Sequence, residues 1–579
     1  MNTADSRAQR IAEFLIRNRT VLFLLIGCVV YIAFLGLREV WYPDEPDIAE
    51  VARAMFLSGD WVTPRFIGEI WVDYPPMIYW TGTVFSHLLG DMSAFSLRLP
   101  NALAAIATVL LTASVARSWF GERAAFWAGF SLLTFMLFVY EGNSYRPDVM
   151  FTITIAAGIF SYAAGSDDRG NLMHRMLAFV FFGLAMLSKG PLGLLLPGLV
   201  LVVWLGLQRK WLRIFELAPL SLIALLVYGS WFLANAQVMG LDNMFGEFYA
   251  QNFARFVDGE TRGHAQPWFY YLRNFWLDFS PWSWLFPPAV WWLYRSEKWR
   301  EPKVQLALLW FFIFFAFLSM AATKRQLYLL PAFPAVALLL GLWFAEVSKP
   351  PAEESAAGRI AVPVYSWALV LVFLALGGVL LWLAPNLESI AATRDLNSQE
   401  LEIVGNIGAP IIALGVTLIL CAFAIGAALR LGGKGSALLA IGGAQIAIYV
   451  VILSSLFPSF APTKSYEPQS RWIMSEIGDE PRFGMVDAAG FYRRGGFGFY
   501  TGTAIDLLEG PDEALDYLRQ YPNTIVLVRS SQFERDFQSA MSASQFRVLR
   551  ELRVGSHVYI VLEIAPDAAY TEGLILSPL

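Results

Sequence analysis

Three carboxylates of this chain fall where an apolar sequence should hold none. Asp44 and Glu45 stand in WYPDEPDIAEVARAMFLSGDWVTP, directly after an apolar run, and Asp148 closes the string EGNSYRPD, directly before another. A carboxylate at the margin of a membrane-length segment is costly unless it is solvated, paired or bound to something. The chemistry such groups offer is proton abstraction by a carboxylate base. The plain alternative for Asp44 is a helix N-cap ahead of IAEVARAMF, and both readings stay open. Basic residues show the same placement: Lys189 in LSKGP, and Lys324 and Arg325 in the TKRQ break of FFIFFAFLSMAATKRQLYLLPAF. Such cations either snorkel to the interface or neutralise an anionic ligand, a task for which the guanidinium is well shaped. Arg146, two residues before Asp148, is either its salt-bridge partner or a further anion ligand.

The elements that must position these residues are membrane helices. Of 579 residues 57% are hydrophobic and only 15% charged, against roughly a quarter charged in soluble proteins. A spanning helix needs about 20 largely apolar residues. Thirteen runs qualify as candidates: 19–38, 99–119, 123–140, 149–164, 174–188, 190–207, 214–234, 282–294, 304–322, 326–346, 361–384, 408–430 and 436–457. The apolar run 77–90 is shorter and suits an interfacial or re-entrant helix. Lys and Arg concentrate in cytoplasmic loops. With the arginine-rich N-terminus inside, thirteen spans put a basic residue in every loop expected to face the cytoplasm, from Arg117–Arg123 to Arg430–Lys434. A fourteenth span at 77–90 would invert them all. The N-terminal run then reads as a retained signal anchor.

An odd count places loops 39–98, 140–148 and 235–281, and everything after 457, on the far side. The expected organisation is a membrane domain over 1–457 and a soluble domain over 458–579. That domain reads as a small α/β unit, with strands at TIVLV (524–528) and HVYIVLEI (557–564) and a helix at Pro511–Tyr521. The Gly-rich, basic FYRRGGFGFYTG (491–502) lacks phosphate-loop spacing and reads as a surface hairpin. The fold class is thus an α-helical polytopic membrane protein of about 13 spans with a small C-terminal α/β domain. The net charge of −5, without a long basic run, gives no case for a nucleic-acid partner. Cys28 and Cys421 sit inside apolar runs and suggest neither a disulfide nor a metal site. The aromatic stretch WFYYLRNFWLDFSPWSW (268–284) suits an interfacial belt, and equally a sugar-stacking or polyprenyl-lining surface.

The first-loop string W-x-P-D-E-x-x-x-A-E-x-x-R-x-M, followed by S-G-D-W-x-x-P, resembles the type-C, protein O-mannosyltransferase-like glycosyltransferases, in particular the bacterial lipid A aminoarabinose transferase family. Trp41, Pro43, Asp44, Glu45, Ala49, Glu50, Arg53, Met55, Ser58, Gly59, Asp60, Trp61 and Pro64 carry that match. Asp148, Ser188-Lys189-Gly190-Pro191, His264, Pro267, Tyr270, Tyr271, Lys324, Tyr328 and Pro331 extend it in order through the membrane portion. The resemblance implies an inverting enzyme using a polyprenyl (undecaprenyl) phosphate sugar donor and a lipid or glycan acceptor such as lipid A, at the outer face of a bacterial inner membrane. It implies Asp44 as general base, with Glu45 beside it and Asp148 positioning the base or the donor sugar. Lys189, Lys324, Arg325, Tyr328 and Arg146 are then the candidates for the donor phosphate. Asp73 and His264 match positions that hold a divalent metal in such a transferase, although one carboxylate and one imidazole do not by themselves make a site.

Two departures stand out. The family's lysine before the proline of the first loop is here Tyr74, and the basic residue expected three positions after Asp44 is Asp47. Both remove positive charge, which suggests an acceptor other than a phosphate, such as a hydroxyl. Two rivals to the transferase remain at this level: a flippase or transporter of a lipid-linked sugar, and a scaffold that displays the C-terminal domain. A flippase calls for charges at mid-membrane depth and an internal repeat, and the sequence has neither.

Overall fold

The computed structural model describes residues 13–167, 170–254, 265–349, 356–394, 398–478, 482–486, 494–537 and 546–565. The chain divides into two compact units. The first comprises Met1–Arg38, Asp60–Pro64 and Val72–Ser459; the second comprises Glu39–Gly59, Arg65–Trp71 and Phe460–Leu579. The first outer loop is therefore shared between them.

The first unit is a bundle of apolar helices. Among the described residues eight are long and apolar enough to cross a membrane, or nine if the bent pair Glu122–Thr134 and Met136–Gly142 forms one span. Multiple spans follow from composition, but the expected count of thirteen mixes long helices with broken ones. Phe135 is extended (φ −63°, ψ 131°) and bends its pair by 65°. Arg19–Ile32 and Leu192–Leu207 are shorter apolar helices, and the expected 282–294 span is the ten-residue helix Phe286–Arg295. The expected spans 408–430 and 436–457 run together in Ser398–Val451, interrupted by Gly433 at φ 73°, a left-handed conformation that favours glycine. The run at 77–90 forms the 13-residue helix Met77–Leu89.

Helices in hydrocarbon gain little from the hydrophobic effect against one another and rely on close packing. Small residues supply it here. A Cβ on Gly341, in helix Phe333–Val347, would lie 2.6 Å from the Ala128 Cβ of helix Glu122–Thr134. The aromatic stretch 268–284 also turns partly inward: Tyr271, Phe279 and Trp282 are buried, whereas Trp268 and Trp284 are exposed. Phe279 stacks on Phe333 at 3.9 Å between ring centroids, and Trp282 Nε1 donates to Thr134 Oγ1 at 2.8 Å.

The second unit holds the α/β fold that its patterning predicts. β1 (Arg65–Phe66) and β2 (Glu69–Ile70) form a small antiparallel ribbon. β3 (Arg482–Val486), β4 (Ala504–Leu508), β5 (Val526–Arg529), β6 (Phe546–Val554) and β7 (His557–Ile564) form one sheet in the order β4-β3-β5-β7-β6. β3 pairs parallel with β4 and β5, and β7 pairs antiparallel with β5 and β6. The helix Pro511–Gln520 lies where its sequence placed it.

The Gly-rich stretch is a correction. Arg494–Thr501 is a helix whose first five residues are buried, not a surface hairpin. Its glycines serve close approach. A Cβ on Gly495 would lie 2.4 Å from Asp47 Oδ1, and one on Gly496 would lie 2.2 Å from the Tyr466 ring. That helix packs on Glu45–Ser58, the first-loop helix of this unit.

Overpacking a well-filled helix contact costs about 1–3 kcal/mol. Gly341→Val should therefore lower the melting temperature of the purified protein in detergent, whereas Gly198→Val, at a glycine with open space around it, should leave it close to wild type.

Candidate functional site

In the first unit the site is built on helix ends. Asp148 is the first residue of helix Asp148–Ser166, and Lys189 is the last of helix Leu172–Lys189. A carboxylate at a helix N-terminus and an ammonium at a C-terminus both match the helix dipole. The two side chains form an ion pair, Lys189 Nζ to Asp148 Oδ1, with Asp148 only 2% exposed. Gly190, at φ 72°, ends the lysine's helix with its face against the Asn252 side chain, and Pro191 leads into helix Leu192–Leu207. The Lys189 ammonium also stands 4.5 Å above the Tyr328 ring centroid, a cation–π contact.

The loop before Asp148 is held from below. Asn101 Nδ2 donates to Ser144 O at 2.7 Å and to Arg146 O at 2.6 Å, and Tyr145 OH donates to Ile78 O at 2.8 Å. Arg98, buried at 1% exposure, clasps the end of the first helix by donating to Leu35 O and Arg38 O. Arg38 in turn donates to Asn143 O at 2.8 Å. Arg146 pairs with Glu141, Nη1 to Oε1 at 3.0 Å. Of its two expected partners Arg146 thus takes a carboxylate, and that carboxylate is Glu141, not Asp148.

Two cavities flank the 323–328 segment. The first, about 130 Å³, has Lys189, Tyr328 and Asp73 among its polar lining and Leu192, Leu196, Trp231 and Phe317 among its apolar walls. Glu247, Gln251 and Asn252 also line it, from the described part of the 235–281 loop. The second, about 460 Å³, is lined by five charged groups: Glu141, Arg146, Asp278, Lys324 and Arg325. Lys324 and Arg325 thus line a different cavity from Lys189, although Arg325 is near enough to act electrostatically on the Lys189 ammonium. Lys324 Nζ donates to Gln266 O at 2.8 Å and to Ala321 O, tying the turn to residues 265–266. Burial holds its pKa below the ordinary lysine value. Asp278 is 3% exposed and makes no hydrogen bond or ion pair among the described residues. Burial, reinforced by the Glu141 charge, pushes its carboxyl up to about 7.

Asp44 and Glu45 belong to the second unit. Asp44 occupies the N-cap position of helix Glu45–Ser58, but its side chain makes no capping hydrogen bond. Glu45 is buried and accepts from Trp41 N at 2.9 Å. The segment is pinned to the C-terminal sheet domain of its own unit. Tyr500 OH receives Val40 N at 3.0 Å and donates to Glu39, and Tyr42 OH meets His557 Nε2 at 2.8 Å.

For the metal expectation, Asp73 lines the first cavity, whereas His264 lies outside the described residues. Among the described residues no three His, Cys, Asp or Glu side chains converge into a donor set. Sequence reasoning missed Asn101, Glu141 and Asp278. Each had a visible signal: an asparagine inside an apolar span, a carboxylate directly after one, and the lone acid of the stretch 268–284.

The family described as dolichyl-phosphate-mannose-protein mannosyltransferase matches residues 73–232. The undecaprenyl phosphate-alpha-4-amino-4-deoxy-L-arabinose arabinosyl transferase of Edwardsiella ictaluri is 32% identical over 378 residues, 63% of this chain and 64% of that protein. Its counterpart in Pseudomonas paraeruginosa is 31% identical over 338 residues, 56% of this chain and 59% of that protein. The chain thus spans less than two thirds of the length of these relatives. The structure of ArnT from Cupriavidus metallidurans bound to undecaprenyl phosphate superposes with a TM-score of 0.74, at 21% identity, over 93% of this chain and 97% of that one. The fold is the one seen in that structure. Over the portion they share, the chain is similar to these bacterial aminoarabinose transferases.

Leaving the two carbonyls that Asn101 binds unsatisfied costs about 1–3 kcal/mol each. Asn101→Ala should therefore loosen the Asp148 loop, read as faster amide hydrogen exchange over residues 143–148 with the rest of the bundle unchanged.

Proposed function

We propose that the protein is an inverting glycosyltransferase. It takes a sugar from an undecaprenyl monophosphate carrier and passes it to a lipid or glycan acceptor, such as lipid A, at the outer face of a bacterial inner membrane. The observation that carries this reading is the Asp148–Lys189 pair over Tyr328, set in a cavity whose other walls are largely apolar. A polyprenyl phosphate has the same division, a hydrocarbon chain ending in an anion. Relatives named for an undecaprenyl phosphate-linked sugar support the choice of carrier. The flippase alternative gains no comparable observation.

In the proposed reaction the acceptor oxygen bonds to the anomeric carbon as the bond to the carrier phosphate breaks, and the phosphate leaves with the electron pair. Lys189 stabilises the charge that grows on the leaving oxygen, which is where a fixed cation lowers the barrier most. Asp148 holds that ammonium in place, and Tyr328 buttresses it. Arg325 adds positive potential from the adjoining turn. Asp44 is assigned the base that relieves a hydroxyl acceptor of its proton, on the strength of the first-loop motif, with Glu45 fixing the backbone before it through Trp41. The proposed topology keeps the N-terminus cytoplasmic and the C-terminal domain periplasmic, in line with the distribution of Lys and Arg among the loops.

The test is deletion of the gene followed by restoration with wild type, Lys189→Met or Asp44→Ala, with mass spectrometry of the envelope lipids. A sugar-sized mass should vanish on deletion and return with wild type, while each variant restores less than about a hundredth of it. Full restoration by Lys189→Met would remove the ammonium from the mechanism, and full restoration by Asp44→Ala would remove the base.

A further inference from the structure

A third cavity of the first unit, about 650 Å³, lies at the other end of the bundle from the Asp148–Lys189 pair. Helix Asp148–Ser166 begins at that pair and reaches this cavity 19 residues later, a span of about 27 Å. In the proposed topology this end faces the cytoplasm. Four helix ends meet there. Asp167 follows the C-terminus of helix Asp148–Ser166, and Gln208 follows that of helix Leu192–Leu207. Lys210 stands at the N-cap of helix Trp211–Met239, and Glu301 at the N-cap of helix Pro302–Met320, with Lys303 in its first turn. The walls are tied to one another and still leave the space open. Trp204 Nε1 donates to Pro302 O at 2.8 Å, Gln208 Nε2 to Gln305 Oε1 at 2.6 Å, and Lys210 Nζ to Ser166 O at 3.2 Å.

Two cations and two carboxylates line this space: Lys210, Lys303, Asp167 and Glu301. Their charges cancel in sum, but they are not locked to one another. Lys303 Nζ stands 3.8 Å from Asp167 Oδ2, beyond hydrogen-bond reach. Lys210 has the carbonyl of Ser166 and no ion pair among the described residues. Glu301 pairs at 3.2 Å with Lys298 of the preceding turn and leaves its own helix uncapped. Helix dipoles sort the two signs. The N-terminus of Pro302–Met320 favours an anion beside Lys303, and the C-terminus of Asp148–Ser166 favours a cation beside Asp167. Ser166, 8% exposed, lines the same space. Its hydroxyl has no hydrogen-bond partner of good geometry among the described residues, only the Tyr162 hydroxyl beside it. Leu207, Trp211 and Leu212, neighbours in sequence of Gln208 and Lys210, are all exposed, as apolar side chains at a bilayer margin are.

A ligand that answers this pattern carries a phosphate and a primary ammonium close together and is neutral in sum. We infer that the third cavity binds the phosphoethanolamine head group of a zwitterionic phospholipid from the leaflet at this end of the bundle. The phosphate lies against Lys210, Lys303 and the N-terminus of helix Pro302–Met320. The ammonium lies against Asp167 and Glu301, whose carboxylates accept its N–H groups. A choline head group has the same two charges but no N–H to donate. A glycerol head group keeps the phosphate and leaves both carboxylates unmatched beside it. The exposed apolar side chains at the rim favour a lipid over a soluble phosphate ester. The site stands apart from the transferase reading, since neither cavity used for that reading takes part in it.

The experiment titrates the delipidated full-length protein with dioleoyl lipids bearing ethanolamine, choline or glycerol head groups. Native mass spectrometry then reads which lipid survives detergent removal. Wild type should hold the ethanolamine lipid at least about tenfold more tightly than either of the others. Lys210→Gln combined with Lys303→Gln should lose that retention at an unchanged melting temperature. Asp167→Asn combined with Glu301→Gln should instead reverse the preference and favour the glycerol lipid, a gain that a misfolded protein cannot show. Soluble phosphoethanolamine, added as competitor, should bind far more weakly than the lipid. Equal retention of the three lipids, retention untouched by the lysine changes, or an unaltered preference after the carboxylate changes would each overturn the assignment. Soluble phosphoethanolamine that binds as tightly as the lipid would overturn its membrane source.

Discussion

A lysine ammonium at the end of a membrane helix is tolerable only if something holds its charge, and in this protein that something is Asp148. Taking either partner away leaves a buried charge uncompensated, a loss of about 3–5 kcal/mol in comparable settings. Much of the first unit's polar structure converges on that pair. Asn101 fixes the loop that delivers the carboxylate, Gly190 lets the lysine's helix end where it must, and Tyr328 covers the ammonium with a ring face. An ammonium held this way is preorganised: its charge is already desolvated and aimed, which is the condition under which a fixed cation stabilises an anion most strongly.

Charge is then apportioned by cavity. The hydrocarbon-walled cavity carries Lys189, and the polar cavity carries Arg146, Lys324 and Arg325. A single turn, tied by Lys324 to the backbone of 265–266, forms part of the wall of each. The second unit has its own logic. The Gly-rich helix Arg494–Thr501 lies close against Glu45–Ser58, so the C-terminal sheet domain serves as the platform for the first-loop helix that carries Asp44 and Glu45.

Much of this was legible in the sequence, and what was not has physical reasons. Apolar runs revealed a polytopic bundle because hydrocarbon permits little else. Their number is not fixed by hydropathy alone: among the described residues eight or nine helices are long and apolar enough to cross and two apolar ones are shorter, and a bend at Phe135 or a break at Gly433 leaves no mark on hydropathy. Asp148, Lys189 and Tyr328 were picked out singly, and their meeting follows from two helix ends that no local pattern pairs. Lys324 and Arg325 were grouped with Lys189 because they share a membrane margin, whereas the turn presents them to the other cavity. Asp278 was hidden by its neighbours: in a stretch with so many aromatic side chains the eye reads a belt, and several of those rings in fact pack inward. The glycines of 491–502 suggested a turn because glycine permits one, but here the missing side chains allow two helices to touch.

The most direct measurement is binding of undecaprenyl phosphate to the purified full-length protein by native mass spectrometry, comparing wild type with Lys189→Gln at equal melting temperature. If the ammonium held by Asp148 is the phosphate anchor, wild type should retain the lipid through detergent removal, and the variant should bind it at least about tenfold more weakly. Equal retention by the two proteins would contradict the assignment of the Asp148–Lys189 pair as the head-group site.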